Sequence, residues 1–417
     1  MPHDGSAGTA NLFDSSTHDV KCFLLFGEIL MSFDFSRRSL MKGICSTAAL
    51  SAAAGLPSVA ADTATEYKGP HGPGMPQEGP NTPKICAPID GHEITTESMR
   101  RIKQLGIDNV LMGGPKMPWQ EADLQATVDK LKTGGLKAGN MMIAGFNNCI
   151  YGRAGEARDQ EIEDFKSSVR VAGKVGLPVV EYNWYAHRAI EGYYQEEGRG
   201  GAGLTGFNIN RVENLPTLPE EGVHSNEELW KSITYFLQAV IPTCEQSNVR
   251  LALHPNDPPI AMTRASGQIM GSLEGWKKLI TVVNSPANGI TYECGVSREM
   301  EVDPVEVCKY FGTRDRINHV HYRNPVVRVP HNDYTETFID QGENNMLAVM
   351  RELIKVKYTR LIYPEHERAL DYDRAVGIKN GYPGGGGYTG MVFDIAYARA
   401  MFQASIMLER GTEWKEF

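Results

Sequence analysis

Several things are missing from this chain, and each absence removes a class of protein. Its seven cysteines include no CxxC pair, so a disulfide framework is not indicated even for an oxidising compartment. No long basic run occurs and the net charge is -9, which argues against nucleic-acid binding through an electrostatic face. Beyond the N-terminal region there is no apolar run of about 20 residues, so the body is expected to be soluble and free of the membrane. No GxGxxG follows the first apolar run and GK[ST] is absent, so neither a dinucleotide fingerprint nor a P-loop is present. What the 417 residues do hold is 41% hydrophobic side chains, enough for a large core and compatible with two domains or one barrel with insertions.

The N-terminus reads as an address. Ser36-Arg37-Arg38-Ser39-Leu40-Met41-Lys42 carries a twin arginine, an Ala-rich stretch runs from Gly43 to Leu56, and Ser58-Val59-Ala60-Ala61 offers small residues for cleavage. Basic, apolar and small segments in that order are those of a secretory signal, and the arginine pair points to the twin-arginine route. The expected location is therefore periplasmic or exported. Residues 1–61 are read as an upstream extension and signal peptide, with Met31 standing just before the signal. Cleavage would leave Cys86, Cys149, Cys244, Cys294 and Cys308, an odd number with at least one unpaired thiol per monomer. Residues 62–83, with Gly69-Pro70-His71-Gly72-Pro73-Gly74, read as a Pro/Gly-rich arm.

From residue 84 to 417 a regular alternation suggests one catalytic domain. Short apolar or β-branched runs fall at 84–89, 108–112, 137–143, 178–183, 250–254, 288–294, 317–322 and 360–365. Helical patterns come after them at 95–105, 120–134, 157–175, 225–247, 272–284, 303–312, 344–356 and 390–406. Thr95, Ser225 and Ser272 are suited to cap helices, and Gly135 and Gly176 to end them. Eight strand–helix units predict an α/β fold, a closed (β/α)8 TIM barrel, with an open doubly wound sheet as the rival. The long connection 184–224 and the glycines 384–387 would both lie on the C-terminal rim, where such barrels place their active sites.

Candidate ligands fall at the ends of four successive predicted strands: His254, Cys294, His321 and Glu365, with His366 next in line. Imidazole, thiolate and carboxylate together suit a borderline divalent ion such as Mn, Fe(II), Co or Zn better than Mg. Each residue also has a plainer reading. His254 can pack at the Pro255–Pro259 turn, Cys294 can be a small buried apolar residue, and Glu365 can cap the next segment. His319 and His321 share a strand face, so one can be a ligand and the other support it. Asn183 can contact a polyol. Arg323 can grip a carboxylate or form a salt bridge.

The residues resemble a known family. His254-Pro255-Asn256-Asp257-Pro258-Pro259, Ser285-Pro286-Ala287-Asn288-Gly289 leading to Cys294, His321-Tyr322-Arg323-Asn324, Pro364-Glu365-His366 and the Gly-rich turn ending at Tyr388 are similar to the motifs of mannonate dehydratases. The likeness spans roughly residues 84–406 and places the chain near the xylose isomerase-like superfamily. It implies a (β/α)8 barrel with a divalent metal, Mn(II) by preference and Fe(II) or Co(II) as alternatives. It also implies conversion of the sugar acid D-mannonate to 2-keto-3-deoxy-D-gluconate and water. Metal ligation is implied for His254, Cys294, His321 and Glu365, and acid/base roles for His366 and Tyr388. The chain departs from the motifs at Asn256 and Glu365, each in place of Asp, and in the segment Trp184-Tyr185-Ala186-His187-Arg188, which is read as touching substrate. Two other readings stay open: a sugar isomerase or epimerase on the same scaffold, and a catalytically silent exported sugar-binding barrel. A small sugar acid is the expected partner. A homo-oligomer is compatible with the sequence but not required by it.

Overall fold

The computed structural model describes residues 22–26, 29–33, 75–377 and 382–410, in two units that divide after Pro70. In the first unit Cys22–Phe26 and Ile29–Phe33 pair as an antiparallel hairpin. The signal segment 36–61 and the arm up to residue 74 lie outside the described residues.

The second unit holds a closed ring of eight parallel strands. They are β1 (Lys84–Pro88), β2 (Asn109–Gly113), β3 (Lys137–Met142), β4 (Val179–Tyr182), β5 (Arg250–Leu253), β6 (Asn288–Glu293), β7 (Ile317–His321) and β8 (Leu361–Tyr363). Each pairs with its sequence neighbour, and β8 closes on β1. The helices between them are α1 (Thr96–Gln104), α2 (Glu121–Thr133), α3 (Glu156–Lys174), α4 (Asn226–Gln246), α5 (Leu273–Val282), α6 (Pro304–Gly312) and α7 (Met346–Lys355), with α8 (Tyr388–Arg410) last. The expected TIM barrel is therefore the observed fold, and the open sheet is excluded by closure.

Local chemistry sets the element ends. Thr95 and Ser225 close capping boxes at α1 and α4, and the Ser272 side chain accepts from Gly275 N at α5. Each supplies an acceptor for an N–H that has no partner in the first turn. Gly135 and Gly176 take φ of +71° and +79° just past α2 and α3, the left-handed stop that glycine adopts without a Cβ clash. Strands β4, β6 and β7 are buried at every position, as expected of parallel strands covered on both faces. Helix α8 is long and apolar enough by composition to cross a membrane. Its Ile395, Ala398, Phe402 and Ile406 are instead part of the barrel's core.

The long connection after β4 is not a bare loop. Tyr193–Glu197 and Gly203–Asn208 join Pro325–Val329 and Asp333–Glu336, from the connection after β7, in a four-stranded antiparallel sheet. Ala189, Tyr193, Phe207, Val212, Ile260 and Tyr334 give this cap its own small core. The Gly-rich turn packs against it: Thr205 Oγ1 donates to Pro383 O, and a Cβ on Gly384 would sit 2.1 Å from Leu204 O. A Cβ on Gly386 would likewise sit 2.3 Å from Arg368 O, so these two glycines permit close backbone approach.

Candidate metal centre and active site

The C-terminal ends of the strands open into a cavity of about 940 Å³, whose lining includes Glu181, Asn183, His254, His321, Glu365 and His366. His254 comes directly after β5. Its Nδ1 lies 2.8 Å from Pro255 O, and since a carbonyl only accepts, that nitrogen carries the proton. Burial and the neighbouring His321 push the His254 pKa down to about 3. The ring is therefore neutral, and Nε2 presents a lone pair 3.2 Å from His321 Nδ1.

His321 ends β7. Its Nδ1 is 2.8 Å from Glu365 Oε2 and its Nε2 is 3.4 Å from Glu181 Oε1. Burial opposes charge on this ring, but Glu365 and Glu181 outweigh it and hold the pKa up at about 9. An imidazolium thus balances buried carboxylates where a cation would do so. Donor atoms of His254, His321 and Glu365 lie within 4.8 Å of one another, as do those of Glu181, His319 and His321. Glu365 Oε1 and His321 Nε2 are buried with no hydrogen-bond partner among the described residues. Orphaned buried donor atoms of this kind are what a bound ion would satisfy, and the mixed N/O set fits a divalent transition metal.

Glu181, which sequence reasoning passed over, is held by Asn140 Nδ2 and Thr291 Oγ1, each at 2.7 Å. The available signal was a carboxylate inside an otherwise apolar strand. His319 is buried with neither ring nitrogen hydrogen-bonded, and burial drives its pKa well down. His321 is the member of that pair at the cavity.

Cys294 is not brought to the trio. Glu293 is the Cα partner of His321 across β6 and β7, so Cys294 falls one step past that register and opens the short helix Cys294–Glu299. Its Sγ donates to Arg323 O at 3.3 Å, and burial pushes the thiol pKa well up.

Arg323 does not line the cavity, contrary to its expected grip on substrate. Its buried guanidinium meets Asp257 Oδ2 at 2.9 Å, Glu299 Oε1 at 3.0 Å, Glu293 Oε2 at 3.2 Å and Glu336 Oε1 at 3.3 Å. That many buried anions engage both of its terminal nitrogens. Arg188 and Arg368 line the cavity instead; Arg188 Nε donates to Asp257 O at 2.9 Å and its guanidinium lies 5.1 Å from the Tyr382 ring. Asn183 lines the cavity as expected.

His366 also faces the cavity, held at a left-handed φ of +53°. A non-glycine residue in that region is strained by about 1–3 kcal/mol, and such strain clusters at functional sites. Its Nδ1 lies 2.7 Å from Glu336 Oε2 and its Nε2 is 3.6 Å from Glu365 Oε2. Burial lowers the His366 pKa, Glu336 and Glu365 raise it, and the net movement is upward. Tyr388 is elsewhere: it opens α8, 37% exposed, with its hydroxyl donating to Arg101 O at 3.3 Å. Tyr185, Tyr363 and Tyr382 line the cavity, and the Tyr382 ring lies 4.6 Å from that of His366.

Barrel and site together define a (β/α)8 protein with a buried donor cluster at its mouth. The D-mannonate dehydratase (UxuA) family model matches residues 195–410, about half of the chain. A mannonate dehydratase of Thermotoga maritima is 29% identical over 340 residues, covering 69% of this chain and 92% of that protein. One of Enterococcus faecalis is 26% identical over 358 residues, covering 76% and 95%. Among solved structures, mannonate dehydratase from Streptococcus suis serotype 2 superposes with a TM-score of 0.70 at 23% identity, covering 79% of this chain and 96% of that one. An L-ribulose 3-epimerase superposes at 0.51 and 11% identity, covering 81% and 100%, a likeness of fold alone. The chain belongs to the D-mannonate dehydratase family, a family of hydro-lyases.

Proposed function

We propose that this protein dehydrates D-mannonate, or a closely related hexonate, to 2-keto-3-deoxy-D-gluconate and water. The observation that carries the reading is the convergence of His254, His321 and Glu365 beside His366 in one cavity, in a chain of this family. His254, His321 and Glu365 would hold a divalent ion, Mn(II) by preference, with Fe(II) or Co(II) also suited to the donors. Cys294, whose thiol donates to the Arg323 carbonyl, would join this set as fourth ligand only by turning from that carbonyl to the ion, which would favour its thiolate. Such an ion supplies Lewis-acid polarisation of the substrate's carboxylate and hydroxyl oxygens.

The remaining work falls to side chains. Dehydration takes the C2 proton and breaks the C3–O bond, and the departing hydroxyl needs a proton to leave as water. His366, with Nδ1 anchored on Glu336, keeps Nε2 for proton transfer at the cavity. The Tyr382 phenol is the second proton-transfer group, in place of Tyr388. Arg188 and Asn183 line the same wall and orient the acid, the guanidinium pairing with its carboxylate. The reading includes export: Arg37-Arg38 ahead of an Ala-rich run supports the twin-arginine route to the periplasm.

The test is mass spectrometry of D-mannonate incubated with the Mn(II)-loaded mature chain. Loss of one water with appearance of a 2-keto acid is expected. An isomer of unchanged mass would replace this reading with a sugar isomerase, and metal-dependent binding without turnover would replace it with a binding protein.

A further inference from the structure

The cavity is larger than a free hexonate needs. About 940 Å³ stands at the upper end of the roughly 300–1,000 Å³ of clefts that enclose drug-sized ligands. An acyclic six-carbon acid has only about thirteen non-hydrogen atoms, well short of drug size.

The cavity is also two-sided. The donors grouped at the cavity, Glu181, His254, His321 and Glu365, come from β4, β5, β7 and β8 or the residues just after them. On the side of β1, β2, β3 and α2 the wall is apolar: Ile89, Leu111, Met112, Met142 and Leu124. In a closed ring of eight strands, β1 stands opposite β5 and β3 opposite β7. The apolar wall therefore faces the donor cluster across the mouth. Its outer edge carries Asp90, His92, Asp123 and Thr127. An apolar floor with a few carboxylate, imidazole and hydroxyl groups on its rim suits a sugar ring, which has an apolar face and hydroxyls around its edge.

The proposed reaction uses only the C2 proton and the C3 hydroxyl. Oxygens O4 to O6 take no part and can carry a substituent, whose bond to the acid stays intact while water leaves. Resting on the hexonate reading above, we infer that the β1–β3 wall is a second subsite for a glycosyl group on the distal hydroxyls. The substrates it favours are glycosyl-hexonates.

Gly113 allows a direct test. It ends β2, lines the cavity and is exposed, and a Cβ built on it meets nothing within 4 Å. Gly113→Phe would fill the far side while leaving the donor cluster alone. Thr127→Trp on α2 is a second obstacle, should the first variant fold poorly. Calorimetry on the Mn(II)-loaded chain would compare D-gluconate with cellobionate, the same acid bearing a 4-O-glucosyl group, alongside D-mannonate binding and turnover.

Cellobionate is expected to bind about tenfold tighter than gluconate. Either variant should erase that difference and leave D-mannonate Kd and kcat within about twofold. Cellobionate binding no tighter than gluconate, or variants weakening all three acids alike, would overturn the subsite while the hexonate reading stands. Failure to bind or turn over D-mannonate, with cellobionate also unbound, would remove both.

Discussion

His366 Nδ1 lies 2.7 Å from Glu336 Oε2, so a residue on the cap sheet holds a ring that sits just past the last barrel strand. Glu336 is in turn engaged by Arg323 and Arg368. The carboxylate raises the ring's affinity for a proton, against Arg323 Nη1, which also lies 2.8 Å from Nδ1. Glu336→Gln keeps an acceptor for Nδ1–H and removes the charge. The limb of the kcat–pH profile that reports His366 should move to lower pH by about one unit. Turnover near neutrality should drop about tenfold or more with KM little changed. A loss of activity without movement of that limb would mean that Glu336 only supports the fold.

The two tyrosines flanking the glycine run should behave differently. Tyr382 shares the cavity with His366, whereas Tyr388 donates to a backbone carbonyl on the surface of α1. Tyr382→Phe is expected to lower kcat on D-mannonate by about a hundredfold, the scale of one lost proton-transfer group. Tyr388→Phe should leave kcat within about twofold and cost under about 1 kcal/mol, since it loses one exposed hydrogen bond. The opposite ranking would return the acid/base role to Tyr388.

Cobalt substitution reads out the ligand set. Co(II) bound with Cys294 should show a near-ultraviolet thiolate-to-metal band that Cys294→Ser abolishes. His254→Ala and Glu365→Gln should each lower metal affinity by about tenfold or more, a loss at least as large as that from changing a ligand's outer partner. Absence of the band in the parent protein would leave Cys294 as the packing thiol seen against the Arg323 carbonyl, with a site of three protein ligands.

How far the sequence reveals this arrangement depends on the information that periodicity encodes. All eight strands and all eight helices are readable, because a buried parallel strand and an amphipathic helix each leave a local pattern. Strand ends are readable too, and with them His254, His321, Glu365 and His366. The direction of a side chain is not readable once a strand gives way to a loop. Arg323, two residues past His321, turns into a buried nest of carboxylates, while Arg188, deep in a long connection, reaches the cavity. Glu181 went unnoticed because a single acid in an apolar strand has no periodic signature. The cap sheet went unnoticed because its strands pair across connections more than a hundred residues apart.

Glu78 links the arm to the base of the barrel, and its protonation should set part of the protein's pH-dependent stability. Its Oε1 accepts from Ile85 N at 3.0 Å, at the start of β1. Burial raises its pKa to about 7, and the Ile85 amide, Lys84 and Arg399 offset this only in part. The folded chain therefore holds this proton between roughly pH 4.5 and 7, while the unfolded chain has already released it. Folding favours the protonated form, so the contribution is full below about pH 4.5, fades as pH rises to about 7, and is flat above. Glu78→Gln retains the carbonyl acceptor and abolishes the titration. The variant should melt at nearly the same temperature as the parent at pH 4.5 and a few degrees higher at pH 8, about the shift that 1 kcal/mol or so produces in a domain of this size. A gap between the two melting curves that does not widen across that range would show that Glu78 is charged throughout.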